Sequence, residues 1–234
     1  MSTLTDTPSR VESVFGAHKR MQVNEATRMQ IGNIRTEHAQ FVAFDLETTG
    51  ISSFADRVVD IGAVRFCLST AGIDTFEQIV DPQRDIPPVV TAIHGIRDED
   101  VAGRPTIDEV LPAFEDFIGD EDTVLIAHNA PFDCSFLAAA YTASHRKPPT
   151  NHIICSLRLF RLAFPQFENY KLETIGRELG LISREEHRGL ADSLLLMRCL
   201  SMAFELLPQF PYLDSLFQGA NVYRFTDYSS TDIT

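Results

Sequence analysis

Two carboxylates spaced two residues apart end an apolar run early in the chain. Residues 41–44 read Phe-Val-Ala-Phe, Asp45 and Glu47 come next, and a Thr-Thr-Gly turn follows at 48–50. On a strand, side chains two residues apart project from the same face. Like charges held that close repel each other unless a cation neutralises them, and Mg²⁺ and Mn²⁺ prefer such oxygen ligands. The spacing predicts a metal-binding pair at a strand end; an edge strand running into a solvated turn is the alternative.

A third carboxylate, Asp133, follows a second apolar run. Residues 123–128 read as a buried strand, and Pro131 stands where the first turn of a helix tolerates proline. The helix dipole favours an acid in that turn, which is one sufficient reason for Asp133. Open α/β sheets also bind ligands beyond the carboxyl ends of their strands. A third carboxylate of the same metal site is therefore the other interpretation.

A histidine and a further acid lie five residues apart later in the chain. His187 falls in the polar stretch 183–189, which has no regular apolar period, and Asp192 precedes an apolar helix predicted over 193–207. The stretch predicts a mobile loop around His187. Taken alone, His187 would be interpreted as a surface histidine.

The remaining pattern alternates strands and helices in an α/β order. Thr106 and Glu109 form a predicted capping box at a helix start, and Gly95 a predicted helix stop after His94. Besides the strand that ends in Asp45 and Glu47, the predicted strands are 57–66, 74–80, 123–128 and 152–155. The predicted helices are 89–93, 107–118, 131–141, 157–162, 171–180 and 193–207.

Length and composition indicate one folded domain with extensions at its ends. It has 234 residues, of which 44% are apolar, enough for a sizeable core. We predict a helical extension over 1–39, a catalytic domain over 40–207, and a tail over 208–234 that packs on the core through Leu213, Leu216 and Phe217. No apolar run could span a bilayer and the N-terminus lacks a leader pattern, so we expect a cytoplasmic protein. The four cysteines (67, 134, 155 and 199) lack zinc spacing and are expected to be buried, reduced thiols.

The net charge of −13 argues at first against a nucleic-acid partner, but the charge is unevenly distributed. Residues 81–122 hold twelve acids and three arginines, whereas residues 140–200 hold nine Lys or Arg and six acids. One face can therefore be acidic while another accepts phosphates, and bound cations would offset the acids of a metal site.

Taken together, the motifs resemble the DEDDh (DnaQ-like) 3′→5′ exonucleases and, within them, the epsilon-type proofreading subunits of bacterial DNA polymerase III. The resemblance covers about residues 40–205. It rests on Asp45-x-Glu47, on His128-Asn129-Ala130-Pro131-Phe132-Asp133 and on His187 before Asp192, with His94-Gly95-Ile96 between the first two. It implies an RNase H-like α/β fold, a mixed central sheet flanked by helices.

The resemblance also implies a two-metal-ion hydrolysis of phosphodiesters with Mg²⁺ or Mn²⁺. Asp45, Glu47 and Asp192 would hold the first ion, and Asp45 would bridge to the second. Asp133 would complete the site directly or through water. His187 would be the general base that takes a proton from the attacking water, because imidazole ordinarily titrates near neutrality.

Substrate contacts follow from the same resemblance. The matching positions are Leu46 and Thr48 beside the first acids, His94 against the base or sugar, and Asn129 and Phe132 at the second motif. Phe132 could wedge between the last two bases, since aromatic stacking binds single strands with little sequence preference. Each could equally be ordinary packing. Gly189 departs from the family pattern, where alanine is common.

We therefore expect a 3′→5′ exonuclease that releases nucleoside 5′-monophosphates from single-stranded DNA or frayed 3′ ends. An exoribonuclease or oligonucleotidase acting on RNA or short oligonucleotides is the main alternative. A non-catalytic adaptor that binds nucleic acid or a replication partner is the second. Expected partners are single-stranded 3′ ends and, as a candidate, a DNA polymerase or another replication or repair protein; no membrane partner is expected.

Overall fold

A mixed six-stranded sheet forms the centre of the computed structural model, which describes residues 31–182 and 187–228. The strands are β1 (Phe41–Thr48), β2 (Val58–Phe66), β3 (Ile73–Ile79), β4 (Val124–Ala127), β5 (Ile153–Cys155) and β6 (Asn221–Tyr223). Their order is β3-β2-β1-β4-β5-β6. Strands β1, β4 and β5 are parallel, while β2, β3 and β6 run antiparallel to their neighbours. The carboxyl ends of the three parallel strands therefore share one edge of the sheet.

Helices cover both faces of this sheet. In the described residues they are α1 (Pro88–His94), α2 (Asp98–Val101), α3 (Ile107–Ile118), α4 (Pro131–Ala143), α5 (Ser156–Ala163), α6 (Leu172–Glu178), α7 (Gly189–Glu205) and α8 (Leu213–Gly219). Short 3₁₀ turns occupy Thr36–His38 and Phe225–Tyr228. None of these described helices combines the length and apolar character that crossing a bilayer requires.

The central strand β1 is buried on both faces, and its two faces meet different helices. Phe41 and Ala43 pack in one cluster with residues of α7, including Leu196. Val42 and Phe44 pack in the other cluster with residues of α3 and α4. Because side chains alternate along a strand, Asp45 and Glu47 continue the face that α7 covers. The strand periodicity thus selects the helix that these two acids meet.

The local signals in the sequence predicted several boundaries correctly. Helix α3 begins after Thr106, whose backbone N–H donates to the Glu109 side chain at 2.8 Å. Helix α1 ends at His94, and the next residue, Gly95, caps it with a φ of 76°. That left-handed conformation costs a glycine little because it has no Cβ.

Other boundaries differ from the prediction. Helix α7 begins at Gly189, four residues before the predicted start, so Asp192 lies in its first turn. Strand β6, which the sequence did not reveal, pairs antiparallel with β5. Its three residues are too few to show strand alternation, and β5 supplies the pairing. Helix α8 was also not predicted; Leu213 and Leu216 are fully buried there and Phe217 nearly so.

Two further expectations concern the N-terminal extension and the cysteines. Most of the helical extension predicted over 1–39 lies outside the described residues; within it, Ile31 is buried and residues 36–38 form a 3₁₀ turn. All four cysteines are free thiols, and three of them are buried as expected. Cys67 is only half-buried, because it follows the end of β2 at the turn and contacts the Ser69 hydroxyl.

Candidate active site

Three carboxylates from two elements converge at the carboxyl end of β1. Oxygen atoms of Asp45, Glu47 and Asp192 all lie within 4.8 Å of one another. Asp192 is buried, while Asp45 and Glu47 are half-buried. Three negative charges this close repel strongly in a partly desolvated site, and a divalent cation with oxygen ligands would relieve that repulsion. The donor set fits a hard cation such as Mg²⁺ or Mn²⁺.

A contact between two glycine backbones places Asp192 beside the other acids. A Cβ added at Gly62 on β2 would overlap the backbone of Gly189 and Leu190, and one at Gly189 would lie 3.0 Å from the carbonyl oxygen of Asp45. The Ser193 hydroxyl also contacts the Gly62 carbonyl oxygen at 2.9 Å. The first turn of α7 can therefore approach the sheet only because both positions lack a side chain.

An ion pair between a buried carboxylate and a partly exposed arginine holds the segment that carries His187. Asp60 on β2 is fully buried, and its Oδ2 accepts hydrogen bonds from Arg188 Nε at 2.9 Å and from the Gly189 N–H at 3.3 Å. Arg188 also reaches Glu77 on β3 at 3.3 Å. Burial raises the pKa of Asp60, while the Arg188 guanidinium works in the opposite direction.

Asp133 lies in the first turn of α4, as predicted, and is almost fully buried. Burial raises the pKa of its carboxyl to about 8, although backbone groups of Asp133 itself and of Leu46 work against that rise. Without a cation, burial favours the protonated form of this carboxyl. A cation beside it would favour the charged form.

The acids open into one cleft of about 560 Å³. Of the predicted site residues, the cleft is lined by Asp45, Leu46, Glu47, Asn129, Phe132, Asp133, His187 and Asp192. His187 has a φ of 49°, a left-handed conformation that non-glycine residues rarely adopt. The fold therefore brings eight of the ten predicted residues to one cleft.

The other two predicted residues lie outside the lining of that cleft. Thr48 is buried and its hydroxyl donates to the Gly50 carbonyl at 2.6 Å. His94 is buried beside the Thr48 backbone and lines a second cavity of about 490 Å³ together with Arg104 and Arg188. Its Nδ1 accepts the Ile96 N–H at 3.0 Å, and burial lowers its pKa, so the ring is neutral with its proton on Nε2.

His128 connects three parts of the cleft wall. Its Nε2 donates to the Tyr170 carbonyl oxygen at 2.8 Å, so Nδ1 is the acceptor for the Ser156 hydroxyl at 2.8 Å. Burial lowers the pKa of His128 to about 4. The neutral ring therefore joins the end of β4 to the start of α5 and to the loop before α6.

Six further residues line the cleft and are called here the second wall; apart from His128 of the second motif, the sequence did not single them out. This wall comprises His128, Leu157, Arg161, Tyr170, Lys171 and Leu172. His128 directly follows β4, Leu157 and Arg161 lie in α5, and residues 170–172 lead into and begin α6, so no single motif contains them. The one available signal was the surplus of basic residues between 140 and 200.

Comparison with known proteins matches the chain to one family and to proteins named as DNA polymerase III components. A family model described as Exonuclease matches residues 42–200. The chain is 31% identical over 201 residues to the PolC-type DNA polymerase III of Clostridium perfringens, which covers 86% of this chain. It is 34% identical over 163 residues to the epsilon subunit of DNA polymerase III of Treponema pallidum, covering 69% of this chain and 74% of that protein.

A solved structure shares the fold. The zinc-bound complex of Escherichia coli ExoI with single-stranded DNA superposes with a TM-score of 0.66 at 17% identity, covering 77% of this chain and 43% of that one. The PolC-type relative is far longer, and the match spans only 14% of its length.

Proposed function

Because the chain belongs to the DnaQ-like exonuclease family, we propose that it is a metal-dependent 3′→5′ exonuclease. Its mixed sheet flanked by helices is the RNase H-like fold expected from the motifs. The substrate we propose is a single-stranded DNA end or a frayed 3′ end, and the products are nucleoside 5′-monophosphates.

The convergence of Asp45, Glu47 and Asp192 within 4.8 Å, in a cleft that Asp133 and His187 also line, carries this proposal. Asp45, Glu47 and Asp192 would hold one divalent cation, and Asp45 would share a second with Asp133. Two such cations supply Lewis-acid activation of water and neutralise the charge that develops on the phosphate and on the leaving 3′-oxygen. Mg²⁺ and Mn²⁺ are the ions that suit these ligands.

His187 is the residue we assign as general base. It lines the cleft beside the acids, and imidazole can accept a proton from an attacking water near neutral pH. Its neighbour Arg188 is fixed to Asp60 and Glu77, which limits where the His187 backbone can lie. The left-handed φ of 49° at His187 is a local cost that these contacts offset.

The assignment of DNA as substrate rests on the relatives. The epsilon subunit and the PolC-type protein are named as DNA polymerase III components, and ExoI binds single-stranded DNA in its complex. Leu46, Asn129 and Phe132 line the cleft next to the acids and are the substrate contacts we propose. A DNA polymerase is the corresponding partner proposal.

The test is digestion of 5′-labelled single-stranded DNA, RNA and a dinucleotide with Mg²⁺, Mn²⁺ or EDTA. Wild type is compared with Asp192→Asn and His187→Ala. Glu205→Gln, an exposed acid on the same helix α7, is the control for Asp192. His145→Ala is the control for His187, because His145 is exposed and has a similar φ of 53°.

We expect a ladder of shortened 5′-labelled products with either metal and none in EDTA, with both site variants inactive and both controls active. A ladder that persists in EDTA or in both site variants would sink the mechanism. Faster digestion of RNA than of DNA would move the assignment to an exoribonuclease. Binding without any hydrolysis would indicate the adaptor.

A further inference from the structure

We propose that Arg161 and Lys171 form a binding site for the phosphodiester backbone of the substrate strand, on the 5′ side of the bond that is cut. The inference rests on the proposed nuclease function and adds a second anchoring point to it. Both side chains line the same cleft as Asp45, Glu47 and Asp192 but belong to the second wall, on α5 and the segment before α6.

The charges of these two residues are available to a ligand. Arg161 lies in the last turn of α5 and Lys171 immediately precedes α6, and both are exposed. Neither forms an ion pair with a carboxylate of residues 31–182 or 187–228, whereas Arg146, Arg177 and Arg188 all do. An unpaired guanidinium and ammonium at the rim of a nuclease cleft suit phosphate oxygens.

The wall that carries them is held in place before any ligand binds. The Arg161 guanidinium lies over the Tyr170 ring, 5.5 Å from its centroid. The Tyr170 hydroxyl donates to the Phe164 carbonyl at 3.0 Å. The backbone carbonyl of Tyr170 accepts a hydrogen bond from His128 Nε2 at 2.8 Å. Anchoring these groups in advance reduces the ordering cost when a strand binds.

The cleft joins this cationic wall to the acids through apolar side chains. Phe132 and Leu157 also line it. A strand whose terminal phosphodiester is at the acids can therefore place a base against Phe132 and a preceding phosphate against Arg161 and Lys171. Because phosphates are common to DNA and RNA, this site adds affinity without distinguishing the sugar.

The test separates strand binding from chemistry by using two substrates. One is a twelve-nucleotide single-stranded DNA, and the other is thymidine 5′-monophosphate p-nitrophenyl ester, which has one phosphodiester and no upstream phosphate. The variants are Arg161→Ala, Lys171→Ala and the double substitution. Arg158→Ala is the matched control, because Arg158 is exposed on the same helix α5 but does not line the cleft.

We expect the double variant to raise KM for the oligonucleotide at least about tenfold with kcat within twofold, and to leave hydrolysis of the ester unchanged. The slope of log KM against log salt should fall by about 1.4, the value for two phosphate contacts to a single strand. Unchanged KM and slope, or an equal effect of Arg158→Ala, would overturn the inference. So would equal losses on both substrates.

A binding arm keeps the inference distinguishable from the proposed function. Fluorescence anisotropy of a labelled oligonucleotide in EDTA reports affinity without hydrolysis. A wild-type protein that binds the strand but cleaves neither substrate overturns the nuclease proposal alone. In that case, weaker binding by the double variant and not by Arg158→Ala still supports the cationic site, and equal binding overturns it.

Discussion

Asp60 and Arg188 form an ion pair that joins the interior of the sheet to the residue beside His187. Asp60 Oδ2 lies 2.9 Å from Arg188 Nε, and the Asp60 side chain is fully buried. The other oxygen, Oδ1, has no hydrogen-bond partner among the described residues. Arg188 therefore supplies the main compensation for a buried charge, and the same contact limits the position of the general base we propose.

Replacing Arg188 tests this relationship. Arg188→Lys keeps the charge but removes the planar group that reaches Asp60 and Glu77 together. We expect kcat to fall about tenfold with KM within twofold, because a small displacement of a catalytic group is costly whereas substrate binding is untouched. Steady-state kinetics on single-stranded DNA measures this split.

The matched control is Arg177→Lys, since the exposed Arg177 pairs with the half-buried Glu173 within one helix, α6. Arg188→Ala should also lower the free energy of unfolding by about 2 kcal/mol, less than for a fully buried pair because the Arg188 side chain is 36% exposed. An Arg188→Lys protein with wild-type kcat would contradict the positioning role.

The close contact between Gly62 and Gly189 predicts that even a methyl side chain at Gly62 is not tolerated. In Gly62→Ala the new methyl group would overlap the backbone of Gly189 and Leu190, so the start of α7 must move away from β1 and β2. We expect the free energy of unfolding to fall by about 2 kcal/mol or more and exonuclease activity to be lost. Urea denaturation and the digestion assay measure the two effects.

Gly72→Ala provides the comparison, because nothing lies within 4 Å of a Cβ at Gly72 and its φ is not positive. That variant should keep wild-type stability and activity. A Gly62→Ala protein as stable and active as Gly72→Ala would show that the close approach is not needed.

Phe132 is the aromatic residue we expect to contact bases. It lines the cleft and packs against Phe136, with ring centroids 4.9 Å apart. Phe132→Ala should weaken binding of single-stranded DNA about tenfold, since stacking on one aromatic ring contributes about 1–3 kcal/mol. Phe132→Trp should preserve binding, because a larger aromatic face remains.

Phe136→Ala separates substrate stacking from packing. Phe136 is 2% exposed and belongs to the core between α4 and the sheet, so its truncation should lower stability by about 3 kcal/mol. Fluorescence anisotropy and thermal unfolding of Phe132→Ala and Phe136→Ala measure the affinity for single-stranded DNA and the stability separately. Loss of stability in Phe132→Ala without loss of affinity would assign Phe132 to the core.

The lowered pKa of His128 predicts that the free energy of unfolding depends on pH. Its pKa is about 4 in the folded protein, below the ordinary value of 6.5, so the unfolded chain takes up the proton first as the pH falls. The contribution of His128 to stability is therefore full above pH 6.5 and declines by about 3 kcal/mol as the pH falls from 6.5 to 4.

His128→Gln removes that titration while keeping a donor for the Tyr170 carbonyl. The difference in unfolding free energy between wild type and His128→Gln, measured by urea titration, should shrink or reverse between pH 6.5 and 4. Taking the difference cancels the opposite contribution of Asp60, whose raised pKa favours the folded state as the pH falls through its range. A difference independent of pH would contradict the buried, neutral ring.

Local physics was sufficient to predict much of the fold, and the resemblance of the motifs to a known family singled out four acids and one histidine that line the cleft. Residues 41–48 form a strand whose period of two places Asp45 and Glu47 on one face, and Pro131 begins the helix that carries Asp133. Thr106 and Gly95 mark helix ends by hydrogen bonding and by backbone conformation, both of which act over a few residues. Three-residue strands such as β6 carry too little pattern, and their partners supply the pairing.

The sequence by itself determined which residues can bind a metal ion or transfer a proton. Two carboxylates spaced by two residues, and a histidine five residues before Asp192, give the types of these side chains and their order along the chain. Only the tertiary structure decided which residues meet. Gly62 and Gly189 bring α7 against β1, Asp60 and Arg188 tie the His187 segment to the sheet, and His128 brings the loop carrying Lys171 to the cleft. These contacts join residues 42 to 128 positions apart, and they depend on close backbone approach and on charge in a desolvated interior, which short sequence patterns do not encode.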